Sequence, residues 1–262
     1  MSRRHAWMMV ALLWCAAPWQ VKSQEGKVTG QRAGSSPREF TNSVGMKCVW
    51  IEPGSFQMGS QTGYGYERPV HKVTLSKGFW LQVTEVTQRQ WEAVMGSNPS
   101  HFKGPDRPVD TVSWDDIQEF LRKLNTKEGD HRYRLPTGAE WECACRAGGQ
   151  EPDEPANLGE LAWWAWNSNG ETHPVSQKKP NACGLFDMRG NVSEWVQDWY
   201  GAYSAGRQID ARGPDSGMSR VLRGGTWFND ETGYFRCARR ARVGWTAVRS
   251  GGHGGFRCAR TP

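Results

Sequence analysis

Three helix-capping boxes, all before Gly148, constrain the fold of this chain more than any other feature. In a capping box, a Ser or Thr side chain and a side chain three residues later satisfy each other's backbone donors. The boxes are Thr87 with Gln90, Ser113 with Asp116, and Thr137 with Glu140. Beyond Gly148 the helical pattern vanishes, and short apolar runs such as residues 221–223 alternate with Gly-rich turns. The sequence therefore predicts an α+β domain with three helices, little other regular secondary structure and many loops.

The core of such a domain must be built mainly from aromatic side chains and tight turns. The chain has 15 Trp and 31 Gly in 262 residues, and its apolar fraction of 37% is modest. In the second predicted helix, the apolar residues recur at the spacing of one helical face: Ile117, Phe120, Leu121 and Leu124. A domain with few regular elements is normally held together by metals, disulfides or aromatic packing.

The N-terminus has the pattern of an export signal. The basic segment 2–5 precedes an apolar run, residues 6–17, that is too short for a permanent transmembrane helix. We therefore predict a signal peptide at residues 1–23, a flexible polar linker at 24–39 and one domain at 40–262. The protein is then periplasmic, secreted or at the cell surface. Two alternatives stay open: lipidation at Cys15, which would anchor the protein to a membrane, and an uncleaved apolar tail.

Cleavage after residue 23 would remove Cys15 and leave six of the seven cysteines. An even number is compatible with disulfides in an oxidising compartment. Most of the pairing cannot be deduced from the sequence: this holds for Cys48, Cys143, Cys183 and Cys237. The Cys-Ala-Cys run at 143–145 has no second cluster, so it is a weak indication of a metal site.

The positive charge is concentrated at the C-terminal end. The formal net charge is +6, and from Arg220 onward there are nine Arg but only Asp230 and Glu231 as acidic residues. Such a segment could attract phosphate or sulfate groups. Alternatively, these arginines pair with buried carboxylates and carbonyls. No predicted helix or stacking platform indicates nucleic-acid recognition, so no nucleic-acid partner is expected.

Eight motifs, in order along residues 40–260, resemble the sulfatase-modifying-factor family, which includes the formylglycine-generating enzyme. They lie at residues 49–60, 85–87, 108–116, 134–142, 184–188, 190–195, 223–227 and 255–258. The resemblance implies a variant of the C-type-lectin-like fold. Some relatives are copper oxidases of a sulfatase cysteine, some are iron-dependent sulfoxide synthases, and many have no known activity. The six scattered His include no i, i+4 pair, which is unlike the iron enzymes.

The resemblance also places the oxidase's two copper-binding cysteines, and here those positions fall on Asn229 and Tyr234. Soft thiolates suit copper(I), and neither residue supplies one. The nearest thiol, Cys237, aligns with a family cysteine that forms a structural disulfide. Copper and formylglycine synthesis are therefore not expected, and an oxidoreductase of the formylglycine-generating type is kept as the alternative.

Two further sites are implied by the resemblance alone. A calcium ion would be held by the carboxylates of Asp187 and Glu194 and by the carbonyls of Gly190 and Val192, oxygen donors that suit a hard cation. Alternatively, the two carboxylates cap the turn without a metal. The resemblance also pairs Cys145 with Cys258 in a disulfide, against the alternative of two reduced thiols in the core.

With copper not expected, the C-terminal loops that form the active-site face in relatives become a candidate binding surface. Its predicted ligand-binding residues are Trp227, Asn229, Asp230, Tyr234, Arg242, Trp245 and His253. We predict a non-catalytic module that binds a peptide, a glycan or another exported protein. Alternatively, Trp227 and Trp245 are core residues. A structural role in a surface assembly is a further hypothesis. Residues 243–254 depart from the family pattern, which is compatible with the diversified ligand display that some relatives use.

Overall fold

A computed structural model describes residues 38–244 and 253–262. The predicted signal peptide, Cys15, nearly all of the predicted linker and Trp245 lie outside these residues. Within them, no helix is long and apolar enough to cross a membrane. The first strand begins at Glu39, one residue before the predicted start of the domain.

The described strands are short and form three sheets. They are β1 (Glu39–Thr41), β2 (Lys47–Ile51), β3 (Gly54–Met58), β4 (His71–Leu75), β5 (Phe79–Gln82), β6 (Tyr133–Arg134), β7 (Ser193–Trp199), β8 (Gln208–Ile209), β9 (Ser219–Arg223), β10 (Ala241–Gly244), β11 (Gly254–Gly255) and β12 (Ala259–Arg260). The sheet orders are β1-β2-β5-β12-β6, β10-β9-β7-β11 and β3-β4-β8. The first sheet contains both the first strand, β1, and the last, β12, so it joins the two ends of the described chain. In this sheet β12 pairs with β5 and β6.

All three predicted helices are present, and each begins at its predicted capping box. They are α1 (Gln88–Met95), α2 (Trp114–Glu128) and α3 (Gly138–Cys145). Ser113 Oγ accepts a hydrogen bond from the Asp116 amide at 3.1 Å, and Asp116 Oδ2 accepts one from the Ser113 amide at 2.9 Å. Among the described residues beyond Gly149, the helical segments are the four-residue helix α4 (Leu158–Leu161) and one 3₁₀ turn, Thr232–Phe235, so the predicted α+β class is confirmed.

The core is aromatic in part. The rings of Trp91 and Phe120 stack with centroids 5.1 Å apart, and Phe256 packs edge-on against Phe120 at 5.3 Å. Such pairs add to the stabilisation from apolar burial. Aliphatic residues of α2, among them Ile117 and Leu124, complete this cluster, so the predicted buried face of the helix is confirmed.

The structure corrects the predicted disulfide. Cys145 pairs with Cys237, across 92 residues, and the two Cα atoms lie 5.7 Å apart. The predicted pairing with Cys258 is wrong, because Cys258 lies in a different core cluster from Cys145. Hydrogen bonds to Gln82 on β5 hold it there, and its thiol is free and buried.

Several of the C-terminal arginines turn inward rather than forming a basic surface. Arg223 pairs with Glu142 at 3.1 Å, Arg236 with Glu67 at 2.7 Å, and Arg257 with Glu194 at 2.7 Å. All six side chains are buried. The interpretation in which arginines pair with buried carboxylates and carbonyls is therefore confirmed for these residues.

Candidate functional site

The candidate site is built on the turn that follows β9. Gly224 and Gly225 have φ angles of +93° and +78°, in the left-handed region that glycine tolerates. A Cβ atom at Gly225 would lie 2.8 Å from Phe235 Cδ1, so a larger residue would clash there. The turn thus reverses the chain tightly and directs residues 227–234 to the surface.

The residue at the first copper position, Asn229, closes this turn. Its Oδ1 accepts hydrogen bonds from the amide of Thr226 at 2.9 Å and from the Thr226 hydroxyl at 3.1 Å. Its backbone carbonyl accepts from the Ala165 amide at 3.0 Å. The side chain is therefore occupied in local structure.

Tyr234, at the second copper position, lies in a short 3₁₀ turn, Thr232–Phe235. Its half-buried ring faces the Arg239 guanidinium at 5.3 Å. A phenol beside a cation supplies no soft ligand for copper(I).

No free thiol in the described chain is prepared to bind copper as a thiolate. Cys237 is fully buried and forms a disulfide with Cys145, so it has no free thiol. Burial raises the pKa of Cys48 and of Cys143 to about 12 and that of Cys183 to about 11. Burial also raises the pKa of Cys258 well above its usual value. Thiols with raised pKa values stay protonated near neutral pH.

Aromatic side chains surround the turn, two of them exposed and three partly buried. We call the set Phe102, Trp166, Trp227, Phe228 and His253 the loop face. Trp166 is 74% exposed and Phe228 is 40% exposed, which is unusual for large apolar residues. The ring centroids of Phe102 and Trp227 lie 5.3 Å apart, those of Trp227 and Phe228 5.3 Å, and those of Phe228 and His253 4.1 Å.

Backbone contacts from three parts of the chain hold the loop face in place. The His253 carbonyl accepts from the Ser193 amide at 2.9 Å, next to the parallel pairing of β11 with β7. The Trp166 indole nitrogen donates to the Asp230 carbonyl at 3.0 Å, so its ring is oriented although exposed. Gln88, buried in α1, donates to the Phe102 carbonyl at 2.7 Å. The face is thus presented on ordered backbone.

Two carboxylates lie near the loop face. Asp110 is fully buried, and its Oδ1 accepts from the His101 amide at 2.7 Å and from the Thr111 hydroxyl at 2.6 Å. Its Oδ2 has no hydrogen-bond partner among the described residues. Burial lowers the pKa of His253, and the Asp110 carboxylate opposes that shift. Asp230 adds an exposed carboxylate at the rim.

The structure brings together four of the predicted ligand-binding residues: Trp227, Asn229, Asp230 and His253. Tyr234 follows them in the same loop. Arg242 does not belong to this group; it lies on β10, with its guanidinium 6.0 Å from the Tyr200 ring. Trp245 lies outside the described residues.

Sequence reasoning missed Phe102, Trp166 and Phe228. The run Trp163-Trp164-Ala165-Trp166 places three Trp in four residues without helical or strand periodicity, and this was a usable signal of surface aromatics. No comparable signal marked Phe102, because only the tertiary fold brings it to Trp227.

The two carboxylates predicted to bind calcium, Asp187 and Glu194, do not form a free donor set. Arg257 donates to both Glu194 carboxylate oxygens, at 2.7 and 2.8 Å, and the Trp141 indole donates to one of them at 2.9 Å. Asp187 Oδ2 accepts from the Ser176 amide at 2.7 Å, and only its Oδ1 lacks a partner in the described structure. Among the described residues, no cluster of three or more His, Cys, Asp or Glu could hold a metal. These largely occupied carboxylate oxygens therefore do not fit a calcium site.

We expect calcium to change the thermal unfolding midpoint by less than about 1 °C relative to EDTA, because an ion stabilises a protein only by binding its native state. The guanidinium of Arg257 already neutralises Glu194. Differential scanning calorimetry of the wild type and of Asp187→Asn gives the comparison. A calcium-dependent rise that Asp187→Asn abolishes would restore the predicted site.

Comparison with known proteins places the chain among close structural and sequence relatives. A family model, the sulfatase-modifying factor enzyme 1-like domain, matches residues 33–262. The chaperone protein LppX of Paenibacillus barcinonensis is 35% identical over 236 residues, 70% of this chain and 81% of that protein. The formylglycine-generating enzyme of Bos taurus is 34% identical over 239 residues, 84% of this chain but only 61% of the enzyme. In the solved structure of Treponema denticola variable protein 1, the TM-score is 0.79 at 32% identity, over 87% of this chain and 100% of that chain.

Proposed function

Because this chain belongs to the sulfatase-modifying factor enzyme 1-like family, we propose that it is an exported member that binds a ligand on its loop face and performs no copper chemistry. The family and fold predicted from the eight motifs are confirmed. The observation that carries the proposal is the structural role of the residues at the two copper positions, Asn229 and Tyr234. Asn229 closes a turn and Tyr234 stacks near a guanidinium, so neither position supplies a thiolate.

The disulfide bond of Cys237 supports the same proposal. It was the one nearby thiol that could have replaced a missing copper ligand. In the structure it is joined to Cys145 and fully buried. Copper(I) oxidase chemistry of the family type requires thiolates open to substrate and oxygen, and this arrangement offers none.

The loop face has the composition of a binding surface. Trp and Phe rings give rigid contact area at low entropic cost, and such residues dominate binding energies at interfaces. The exposed Asp230 and the buried Asp110 lie near this face, whereas Arg223, Arg236 and Arg257 are turned into the core. We therefore favour a peptide or exported protein that presents Lys or Arg to these rings and carboxylates. Acidic ligands, which the arginine-rich sequence suggested, are less well suited to this face.

The relatives support a binding role alongside the enzymatic alternative. One is named a chaperone and another a variable protein, and neither name denotes an oxidase. A diversified ligand-display role remains a hypothesis, since most of residues 243–254 lie outside the described structure. Formylglycine-generating enzymes are relatives as well, so the oxidase alternative requires its own test.

The enzymatic test is copper(I) titration of the wild-type chain, followed by incubation under oxygen with a peptide carrying the Cys-x-Pro-x-Arg motif. We expect neither stoichiometric copper binding nor a formylglycine product by mass spectrometry, because the described cysteines are disulfide-bonded or are free thiols whose pKa burial raises. An established formylglycine-generating enzyme serves as the positive control. Turnover would overturn the proposal and direct attention to Cys237 as a ligand.

The binding test compares Trp166→Ala/Phe228→Ala with the wild type on arrays of cationic peptides, acidic peptides and glycans. We expect cationic peptides to bind, and the double variant to weaken that binding by more than about tenfold, as for truncated hot-spot aromatics. Ile209→Ala is the matched control, because Ile209 is also exposed but lies on β8. Binding that survives in the double variant, or is lost equally in the control, would contradict a role for the loop face.

A further inference from the structure

The free cysteines of the described chain lie in two separate places. Cys48 and Cys258 belong to the first sheet, whereas Cys143 lies on α3 and Cys183 lies in the turn 181–185, which packs against the same core cluster as Cys143. Thiols that meet in an oxidising compartment form disulfides. The two Cα atoms of a disulfide lie about 4.4–6.8 Å apart, so the separation within each pair decides whether it can be joined.

Cys48 and Cys258 are held apart by β5. Both lie opposite Gln82, one on each side of its strand. The Gln82 amide donates to the Cys258 carbonyl at 2.9 Å, and the Gln82 side chain accepts from the Cys258 amide at 3.3 Å. Neighbouring strands are about 4.8 Å apart, so residues two strands apart are separated by about 9.6 Å. This distance is too long for a disulfide.

The turn that carries Cys183 is docked on the C-terminal end of α3. Asn181 Nδ2 donates to the Ala144 carbonyl at 2.7 Å. Asn181 Oδ1 accepts from the Cys183 amide at 3.0 Å, and the Gly184 amide closes the turn by donating to the Asn181 carbonyl at 2.8 Å. The side chain of Asn181 therefore ties the backbone of Cys183 to the residue that follows Cys143.

The Cys143 sulfur lies at the same end of the helix. It accepts a hydrogen bond from the amide of Gly148, just beyond the end of α3. The pKa of Cys143 is raised to about 12, first by burial and next by Cys183, whose effect exceeds those of Glu142 and Glu140 on the same helix. Because electrostatic effects weaken with distance, an effect larger than that of the adjacent residue indicates that the two thiols are close neighbours.

We propose that Cys143 and Cys183 are an oxidation site, which a small disulfide such as oxidised glutathione converts from the two thiols of this structure into a second disulfide. Cys183 is half-buried and Cys143 is only 3% exposed, so Cys183 reacts first. Its thiolate attacks one sulfur of oxidised glutathione and releases one glutathione thiolate. The Cys143 thiolate then attacks the Cys183 sulfur and releases the second glutathione.

In this reaction the two cysteines lose two electrons and two protons, and glutathione disulfide is reduced to two glutathione thiols. The new bond would tie the turn 181–185 to α3, which Cys145 already joins to Cys237. No residue of the loop face takes part, so the inference does not depend on ligand binding there.

The test is incubation of the full chain, carrying Cys15→Ala, with oxidised glutathione at mildly alkaline pH. The pH is chosen because burial raises the pKa of both thiols. Alkylation in denaturant and peptide mapping without reduction should then show Cys143 joined to Cys183, with Cys145 still joined to Cys237 and with Cys48 and Cys258 alkylated. Fragmentation of the peptide between Cys143 and Cys145 assigns each partner. The bond closes a loop of about 40 residues, so oxidation should raise the thermal unfolding midpoint by at least about 5 °C.

Cys183→Ala and Cys48→Ala separate this bond from other effects of the oxidant, each protein being compared with its own untreated sample. Before oxidation, Cys183→Ala has no bond to lose. After oxidation its midpoint should not rise and Cys143 should be alkylated, whereas Cys48→Ala should gain as much as the wild type. The proposal is overturned if Cys143 and Cys183 are both alkylated after oxidation, if Cys183 keeps a glutathione, if either is joined to another cysteine, or if oxidation raises the midpoint of Cys183→Ala equally.

Discussion

Replacing Arg257 by methionine is expected to lower the free energy of unfolding by about 3–5 kcal/mol, the cost of removing one partner of a buried ion pair. Arg257 donates from Nη2 and Nε to the two carboxylate oxygens of Glu194, and both side chains are almost fully buried. The same guanidinium also donates to the carbonyls of Gln82, Val83 and Phe186. Methionine fills similar space but would leave Glu194 buried and unpaired.

Two other buried carboxyl groups near Glu194 should increase the loss of stability in Arg257→Met. Glu85 is fully buried and is held by the Val192 amide at 3.0 Å and the Asn191 side chain at 2.8 Å. Asp187 is buried in the same region, with one oxygen unpartnered. Without Arg257, the only cation left near these three buried carboxyl groups in the described chain would be Lys178, which acts on Asp187.

Urea unfolding of Arg257→Met and of Arg89→Met separates this effect from a general loss of positive charge. Arg89 pairs with Asp106 at 2.9 Å, but both side chains are 66% exposed, so its loss should cost less than about 1 kcal/mol. The double variant Arg257→Met/Glu194→Met should recover much of the loss, because it leaves no unpaired charge at that pair. If Arg257→Met were as stable as Arg89→Met, the buried pair of Arg257 and Glu194 would not contribute this much to the free energy of unfolding.

Removing the Cys145–Cys237 disulfide with the double variant Cys145→Ala/Cys237→Ala is expected to cost about 4–5 kcal/mol, from the loop-closure entropy of the unfolded chain. The bond closes a loop of 92 residues and joins the end of α3 to the segment after the candidate site. Both sulfurs are fully buried in one core cluster, so the two alanines also remove packing.

The control is Cys183→Ala, since Cys183 is a free and only partly buried thiol. It should cost less than about 1.5 kcal/mol, in line with a small truncation at a half-buried position. Peptide mapping without reduction should yield a peptide joined through Cys145 and Cys237. A peptide joined through Cys145 and Cys258, or a double variant as stable as the control, would contradict the structure.

Local sequence patterns predicted much of the fold. The capping boxes at Thr87, Ser113 and Thr137 predicted the starts of all three main helices correctly, because each depends only on contacts three residues apart. The apolar spacing in α2 predicted its buried face for the same reason. The ordered motifs predicted the family.

The candidate site was predictable only in part. The sequence indicated Trp227, Asn229, Asp230 and His253, which follow or precede recognisable Gly turns. Phe102 and Trp166 were missed because they reach the loop face from remote segments, through Gln88 and the Asp230 carbonyl.

Sequence by itself determined the helices, the family and the absence of cysteine at the two copper positions, since these follow from residue identity and short-range spacing. Tertiary structure alone decided which sulfur meets Cys145 and which cation meets Glu194. The reason is physical. Disulfides, buried ion pairs and cavities depend on distances between segments many residues apart, which are set only when the sheets and helices pack. A sequence shows that Arg257 is charged, and only the fold shows that its charge is buried against Glu194.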